Sequence, residues 1–294
     1  MLDFFVEVTE AFGQEVSVKK TKVMVIQKRV LNKEELVLDT AQIFFVNNQV
    51  LENVSVFTYV GGKENQYANM SDEVNTRLSR MSAAFALLSK RVFLNPNIHF
   101  VTKLKMFDAV VISNGLYGCA TWNISNSQIE KLDSWKFRHL KKILRYKWSD
   151  YCSYVDIIDR IKSYGIKIDT MEVTIRKRRL LYLGHVLRMN NCRLPKIMLH
   201  ADIASGQRLR GGQELSYRTC IKKDLELFGI HNNTNISILE GLAKDRSKWQ
   251  RLVNNGAAVL LDKWLWDGHK ASYDRHVDEV FFFNLGSCSK GMAI

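Results

Sequence analysis

The chain has 294 residues, 46% hydrophobic and 25% charged, enough for one large or two ordinary domains with a real core. Lysine plus arginine outnumber aspartate plus glutamate by 43 to 30, and the resulting charge of +13 favours a polyanionic partner, nucleic acid before membrane. The cysteines (Cys119, Cys152, Cys192, Cys220 and Cys288) lie too far apart for a zinc knuckle, and no apolar run approaches bilayer length. The expectation is an intracellular protein, cytoplasmic or nuclear, with free thiols, no membrane association and no secretory leader.

Leu2, Phe5, Thr9 and Phe12 recur at helical spacing and predict an amphipathic helix closed by Gly13. It has no capping residue ahead of it, which gives the expectation of a start inside a larger unit. Val16, Val18 and then Val23 to Ile26 predict strand on either side of Lys19-Lys20-Thr21-Lys22. Ile43 to Val46 and Val50 to Val54 predict a hairpin about Asn47-Asn48. Val56-Phe57-Thr58-Tyr59-Val60 predicts a strand that stops hard at Gly61-Gly62. Residues 1–62 thus read as a helix with a small antiparallel sheet.

Beyond this point the apolar period becomes helical. Val74, Leu78, Met81, Phe85, Leu88 and Val92 form one helix, with Ser71 as its cap and Asp72 and Glu73 in its first turn. Asn95-Pro96-Asn97 breaks it, and Phe100, Leu104, Phe107 and Val111 make a second helix ending near Gly115. Ile129, Leu132, Trp135, Leu140 and Leu144 make a third, opened by Ser125 or Ser127. Three helices with short links over 71–147 read as a bundle. A fourth follows over 154–164. A fifth, over 171–189, is capped by Asp169-Thr170 and has Lys177, Arg178, His185 and Arg188 on one side. Its other side carries Ile175, Tyr182, Val186 and Met189. Arg208 and Arg210 lie in a basic, glycine-containing loop over 207–213. Helices over about 214–228 and from 237 toward 266 complete a basic helical segment of 150–267, and an irregular, disordered tail is expected over 268–294. The fold class expected is α+β, mostly α-helical.

Several residues invite chemistry and read more simply. His185 has no partner at ligand spacing and reads as a packed or surface histidine. Trp122, Trp135, Trp148 and Trp249 could stack on bases, but their positions favour a core. Asp72-Glu73 and Asp278-Glu279 read as solvated acids. Arg176-Lys177-Arg178-Arg179 reads as a helix face rather than an import signal.

Five segments resemble the C-terminal part of reverse transcriptases from non-LTR, LINE-type retrotransposons. Phe12-Gly13, Val16 and Lys20-Thr21-Lys22-Val23-Met24 are similar to the end of the palm. Phe57-Thr58-Tyr59-Val60-Gly61-Gly62 is similar to the primer grip. Leu116-Tyr117-Gly118-Cys119-Ala120-Thr121-Trp122, Leu183-Gly184-His185-Val186-Leu187-Arg188-Met189 and Asp245-Arg246-Ser247-Lys248-Trp249 follow in the family's order and spacing. Gln14, Ser17 and Gly62 depart from the pattern, where the family has Leu, Asn and Ser.

The resemblance implies a palm remnant with primer grip over 1–62, a helical thumb over 71–147 and a post-thumb region over 150–267. It implies that Phe57, Tyr59, Gly61 and Gly62 belong to the primer grip and that Lys20 is the palm lysine near leaving pyrophosphate. It also implies an RNA/DNA primer–template partner, gripped through its phosphates. The candidates for that contact are Lys90, Arg91, Lys103, Lys105, Lys141, Lys142, Arg145, Lys177, Arg178, Arg188, Arg208 and Arg210, with Lys136, Arg138 and Lys147 beside them. The parent enzyme uses Mg2+ on an Asp-Asp hairpin, and no Asp-Asp pair occurs in this sequence. The expectation is therefore a fragment of an RNA-directed DNA polymerase with no catalytic residue, metal ligand or cofactor of its own. The missing palm and fingers would be further partners. The competing readings are a non-enzymatic nucleic-acid-binding protein from a decayed element, and a protein-interaction module.

Overall fold

A computed structural model describes residues 2–25, 45–46, 49–67, 70–147, 149–200, 216–230 and 236–288, without the side chains of 2–3, 236 and 271–288. The described chain is α+β and mostly helical, with small two-stranded sheets. It divides into two compact units, residues 1–79 and 80–294.

In the first unit, α1 (Leu2–Ala11) is followed by β1 (Lys22–Val23), β2 (Phe45–Val46), β3 (Gln49–Val50), β4 (Glu52–Asn53), β5 (Val56–Tyr59) and β6 (Gly62–Asn65). These strands do not form the single antiparallel sheet expected. β1 pairs with β4 in parallel, while β2–β3 and β5–β6 are separate antiparallel hairpins. The long link after β1 contains the β2–β3 hairpin and returns the chain in β1's own direction, as a parallel pair requires. A cross-strand ion pair between Lys22 and Glu52 fixes that register. Val6, Val46 and Leu51 are buried together, with Val16, Val18 and Val23 half-buried around them. Asn47-Asn48 lies outside the described residues.

The strand expected to stop at Gly61-Gly62 turns there and comes back. Val60 (φ 48°) and Gly61 (φ 81°) are both left-handed, the signature of a two-residue type I′ turn, and Gly62 already belongs to β6. The return strand was illegible because Gly62-Lys63-Glu64-Asn65 has no β-branched or aromatic residue.

α2 (Ser71–Leu88) starts in the first unit, and a π-helical turn over Ser89–Phe93 extends it. α3 (Phe100–Met106), a π-helical stretch (Phe107–Ile112) and α4 (Ser113–Gly115) form the second helix at the length expected. α5 (Asn126–Ile143) is opened by a Ser125–Gln128 capping box and α6 (Tyr154–Ser163) by a Ser153–Asp156 box. Thr170 caps α7 (Met171–Leu187). α8 (Leu194–His200), α9 (Tyr217–Leu227), α10 (Ile236–Lys244) and α11 (Arg246–Cys288) follow. α11 runs through the stretch expected to be irregular, because neither proline nor a capping motif interrupts 268–288.

Aromatic rings fill the bundle. Phe85 stacks on Phe93 at 4.7 Å, and both meet Phe107 edge-on. Trp135 stacks over His139 at 3.9 Å and donates its indole N–H to Ser82 Oγ at 2.9 Å. Each such ring pair contributes about 0.5–1.5 kcal/mol beyond simple burial. Trp122, Trp135 and Trp249 are core residues, as expected, and Trp148 lies outside the described residues.

α7 departs most from its expected role. It is not an amphipathic surface helix with a basic side. Met171, Val173, Ile175, Arg176, Arg179, Leu180, Leu183, Val186 and Leu187 are all buried around its circumference. It packs against α5, α8, α9, α10, α11 and the short 3₁₀ turn Cys119–Thr121.

Candidate nucleic-acid interface

The primer-grip-like segment is a braced hairpin. Phe57 is half-buried, whereas Tyr59 is 69% exposed, so this tyrosine is not core. Behind the turn lies a buried ion pair, Arg77 Nε to Glu73 Oε1 at 2.6 Å. Arg77 Nη2 donates to Gly61 O at 2.8 Å, and Lys63 N donates to Glu73 Oε2 at 2.7 Å. Asn65 Nδ2 donates to Asp72 Oδ2 at 2.6 Å. The hairpin tip is thus tied to the first turns of α2. Glu73 is not the solvated acid expected, since it is only 2% exposed. Sequence reasoning passed over Arg77, although Glu73-x-x-x-Arg77 has the spacing of a helical ion pair. Lys20 is exposed in the turn before β1.

The thumb-like cations gather at one end of the bundle. Arg145, just past α5, adopts a left-handed φ of 60° and donates from Nη2 to Leu94 O at 3.3 Å. That contact joins the end of α5 to the end of the helix that carries exposed Lys90 and Arg91. Lys103 and Lys105 follow on α3; the first is buried and the second exposed. Burial and the neighbouring Arg145 charge both hold the Lys103 ammonium below its usual range. Lys142 is exposed, as are Arg138 and Lys147, whereas Lys141 Nζ is bound to Cys152 O at 2.8 Å. Among the described residues, no ion pair joins Lys90, Arg91, Lys103, Lys105, Lys142 or Arg145 to a carboxylate. Helix C-termini accommodate some of this charge, because the carbonyl ends of α2 and α5 favour cations. The mutual repulsion of Lys103 and Arg145 is left unanswered.

A second set of cations is internal. Asp224, fully buried on α9, receives Arg176 Nη1 at 2.5 Å and Arg179 Nη1 at 2.6 Å. Arg176 also pairs with Glu172, and Arg179 Nη2 donates to Trp122 O at 2.9 Å. Arg178 Nη1 donates to Leu116 O at 3.1 Å, and Arg188 Nη1 to Ala243 O at 2.9 Å. These two candidates are half-buried and hold neighbouring loops and helices; Lys177 beside them is half-buried as well. Lys136 is buried, donates to Asp169 O at 2.6 Å, and its ammonium is held below the usual range by burial. Asp133 accepts from Met171 N at 2.6 Å and so caps α7 from α5; burial pushes its carboxyl up to about 6. Arg208 and Arg210 lie outside the described residues.

Three of the resemblance segments meet at α7. The Trp249 indole is 1% exposed, donates to Leu180 O at 2.9 Å and lies where a side chain at position 184 would be, which is why Gly184 is glycine. Asp245 accepts from Ser247 N and Lys248 N, capping the start of α11 just before Trp249. Arg178 and Arg179 hold both ends of the Leu116–Trp122 segment. Tyr217 on α9 donates to Ala120 O at 3.1 Å, and burial pushes its hydroxyl up to about 12. These segments pack one another, and His185 stays exposed at their edge.

No protein-family model, curated protein or solved structure matches the chain. Among the described residues, no three His, Cys, Asp or Glu side chains converge as metal ligands. No described helix is long and apolar enough to cross a membrane.

Proposed function

We propose that this chain is the primer–template-gripping part of a non-LTR retrotransposon reverse transcriptase. It holds an RNA/DNA duplex by its phosphates and does not polymerise alone. One observation carries the binding part of this reading: exposed cations without carboxylate partners, concentrated where the ends of α2 and α5 meet the start of α3. Lys90, Arg91, Lys105, Lys142 and Arg145 are the contacts. The polymerase parentage is supported by the five segments quoted from the sequence.

Purified chain titrated onto an RNA/DNA primer–template at several salt concentrations tests the binding. Five phosphate contacts give a slope of log affinity on log salt of roughly −4 to −5. A flat salt response removes the reading. Primer extension above a blank, with Mg2+ and nucleotides, contradicts the statement that the chain does not polymerise alone. Equal affinity for any duplex, without preference for an RNA/DNA primer end, favours the second reading of a general nucleic-acid-binding protein.

A further inference from the structure

The groove between the β5–β6 hairpin and the start of α2 is lined by residues of the first unit and has its own chemistry. It is an open groove of about 320 Å3, lined by Val56, Lys63, Asp72, Asn75, Thr76 and Ser79. That volume is at the lower end of small-ligand sites. Asp72, Asn75, Thr76 and Ser79 form one stripe of α2 at helical spacing. Lys63 pairs across the hairpin with Thr58, and Val56 two residues earlier lies on the same face. Both walls are held before any ligand arrives. Arg77 binds Gly61 O, Glu73 binds Lys63 N, and Asp72 binds Asn65.

The lining groups are available. Asp72 Oδ2 accepts from Asn65, and no hydrogen bond or ion pair within the described residues occupies Oδ1. The same holds for the Lys63 ammonium, the Asn75 side-chain amide and the Thr76 hydroxyl, while Ser79 Oγ donates to Asn75 O and retains acceptor capacity. One cation, one acceptor-only carboxylate oxygen and three neutral polar groups therefore converge beside a valine. A carboxylate accepts well from sugar hydroxyls, and an ammonium binds phosphate as a point charge. A free phosphate would use only Lys63 and would meet Asp72 as a like charge.

We infer that this groove binds the phosphorylated sugar of a ribonucleotide, with Lys63 on the phosphate and Asp72 on the ribose hydroxyls. Val56 packs against the sugar's apolar face, and Asn75 and Thr76 complete the hydrogen bonding. Selection for ribose over deoxyribose follows from Asp72, because removing the 2′-hydroxyl leaves its carboxylate one donor short. The inference does not rest on duplex binding by the bundle, whose cations belong to the other unit.

The test is ligand-observed NMR titration of the full chain with AMP, dAMP and inorganic phosphate, with no duplex present. An open groove of this size gives AMP binding in roughly the millimolar range. AMP binds about tenfold more tightly than dAMP, and phosphate is weaker than both. Asp72→Asn reduces the ribose preference to about twofold or less, and Lys63→Ala weakens AMP and dAMP alike. Thr76→Val, which leaves the hairpin contacts in place, weakens AMP and dAMP alike. Equal affinity for AMP and dAMP overturns the assignment. Binding untouched by both Lys63→Ala and Thr76→Val also overturns it, as does an absence of binding at 10 mM, roughly ten times the expected constant. A chain that binds AMP but no duplex retains this site and loses the proposed function; the reverse result does the opposite.

Discussion

Around α7 the cations face inward, while at the ends of α2 and α5 they face water. Arg176 and Arg179 converge on one buried carboxylate, Asp224, and Arg178 and Arg188 hold backbone carbonyls. Lys90, Arg91, Lys105 and Lys142 have no such partner among the described residues. The two groups are indistinguishable as composition. The difference is that a helix buried around much of its circumference must satisfy its buried cations internally, because a buried unpaired charge costs several kcal/mol. A helix end exposed to water carries no such demand. Mutating the first group should therefore damage the fold, and mutating the second should damage binding.

The largest effect is expected at Asp224. Asp224→Ala leaves the buried Arg179 guanidinium without a carboxylate partner among the described residues and Arg176 with Glu172 alone, and should destabilise residues 80–294 by about 3–5 kcal/mol in urea unfolding. A loss below about 1 kcal/mol, comparable to a surface pair, would place Asp224 outside the structural group. Next comes Gly184→Ala, whose methyl would collide with the Trp249 indole. A loss of about 1–3 kcal/mol, with a shifted tryptophan emission, is expected from overpacking. Unchanged emission and stability would mean the indole is not seated on Gly184.

A smaller effect concerns pH. Asp133 titrates near 6 in the folded chain against an ordinary value near 4, so the folded state binds more protons between these values. Its contribution to stability is therefore greatest below about pH 4 and declines as pH rises through 6. The stability of the natural chain relative to Asp133→Asn should increase as pH falls from 7 to 5. A difference that shrinks over that range would contradict the burial of this carboxylate. The smallest effect on stability is expected from Lys90→Gln, Arg91→Gln and Lys142→Gln, each within about 0.5 kcal/mol of the natural chain.

Much of the helical architecture was legible. The aromatic and aliphatic spacing placed the bundle helices, and the cap candidates Ser125 or Ser127 and Asp169-Thr170 contain the residues that cap α5 and α7, Ser125 and Thr170. The small strands were harder, because two-residue pairs leave almost no period to read. The parallel partnership of Lys22-Val23 with Glu52-Asn53 is a long-range contact that no local pattern encodes. Spacing makes Arg178 and Arg188 phosphate candidates, because helical spacing alone does not reveal how many neighbouring elements pack against α7. Burial of the cation pair on Asp224 depends on α9, 45–48 residues away. At the candidate interface, sequence supplied the charged residues, while the fold determined which of them remain available.

The most direct test of phosphate gripping by the bundle end is the salt dependence of primer–template binding, compared between the natural chain and a Lys90→Gln, Arg91→Gln, Lys142→Gln, Arg145→Gln variant. Circular dichroism should show both folded. Loss of four phosphate contacts should flatten the slope by roughly 3 to 4. An unchanged slope in a folded variant would contradict the account and place the duplex elsewhere on the chain.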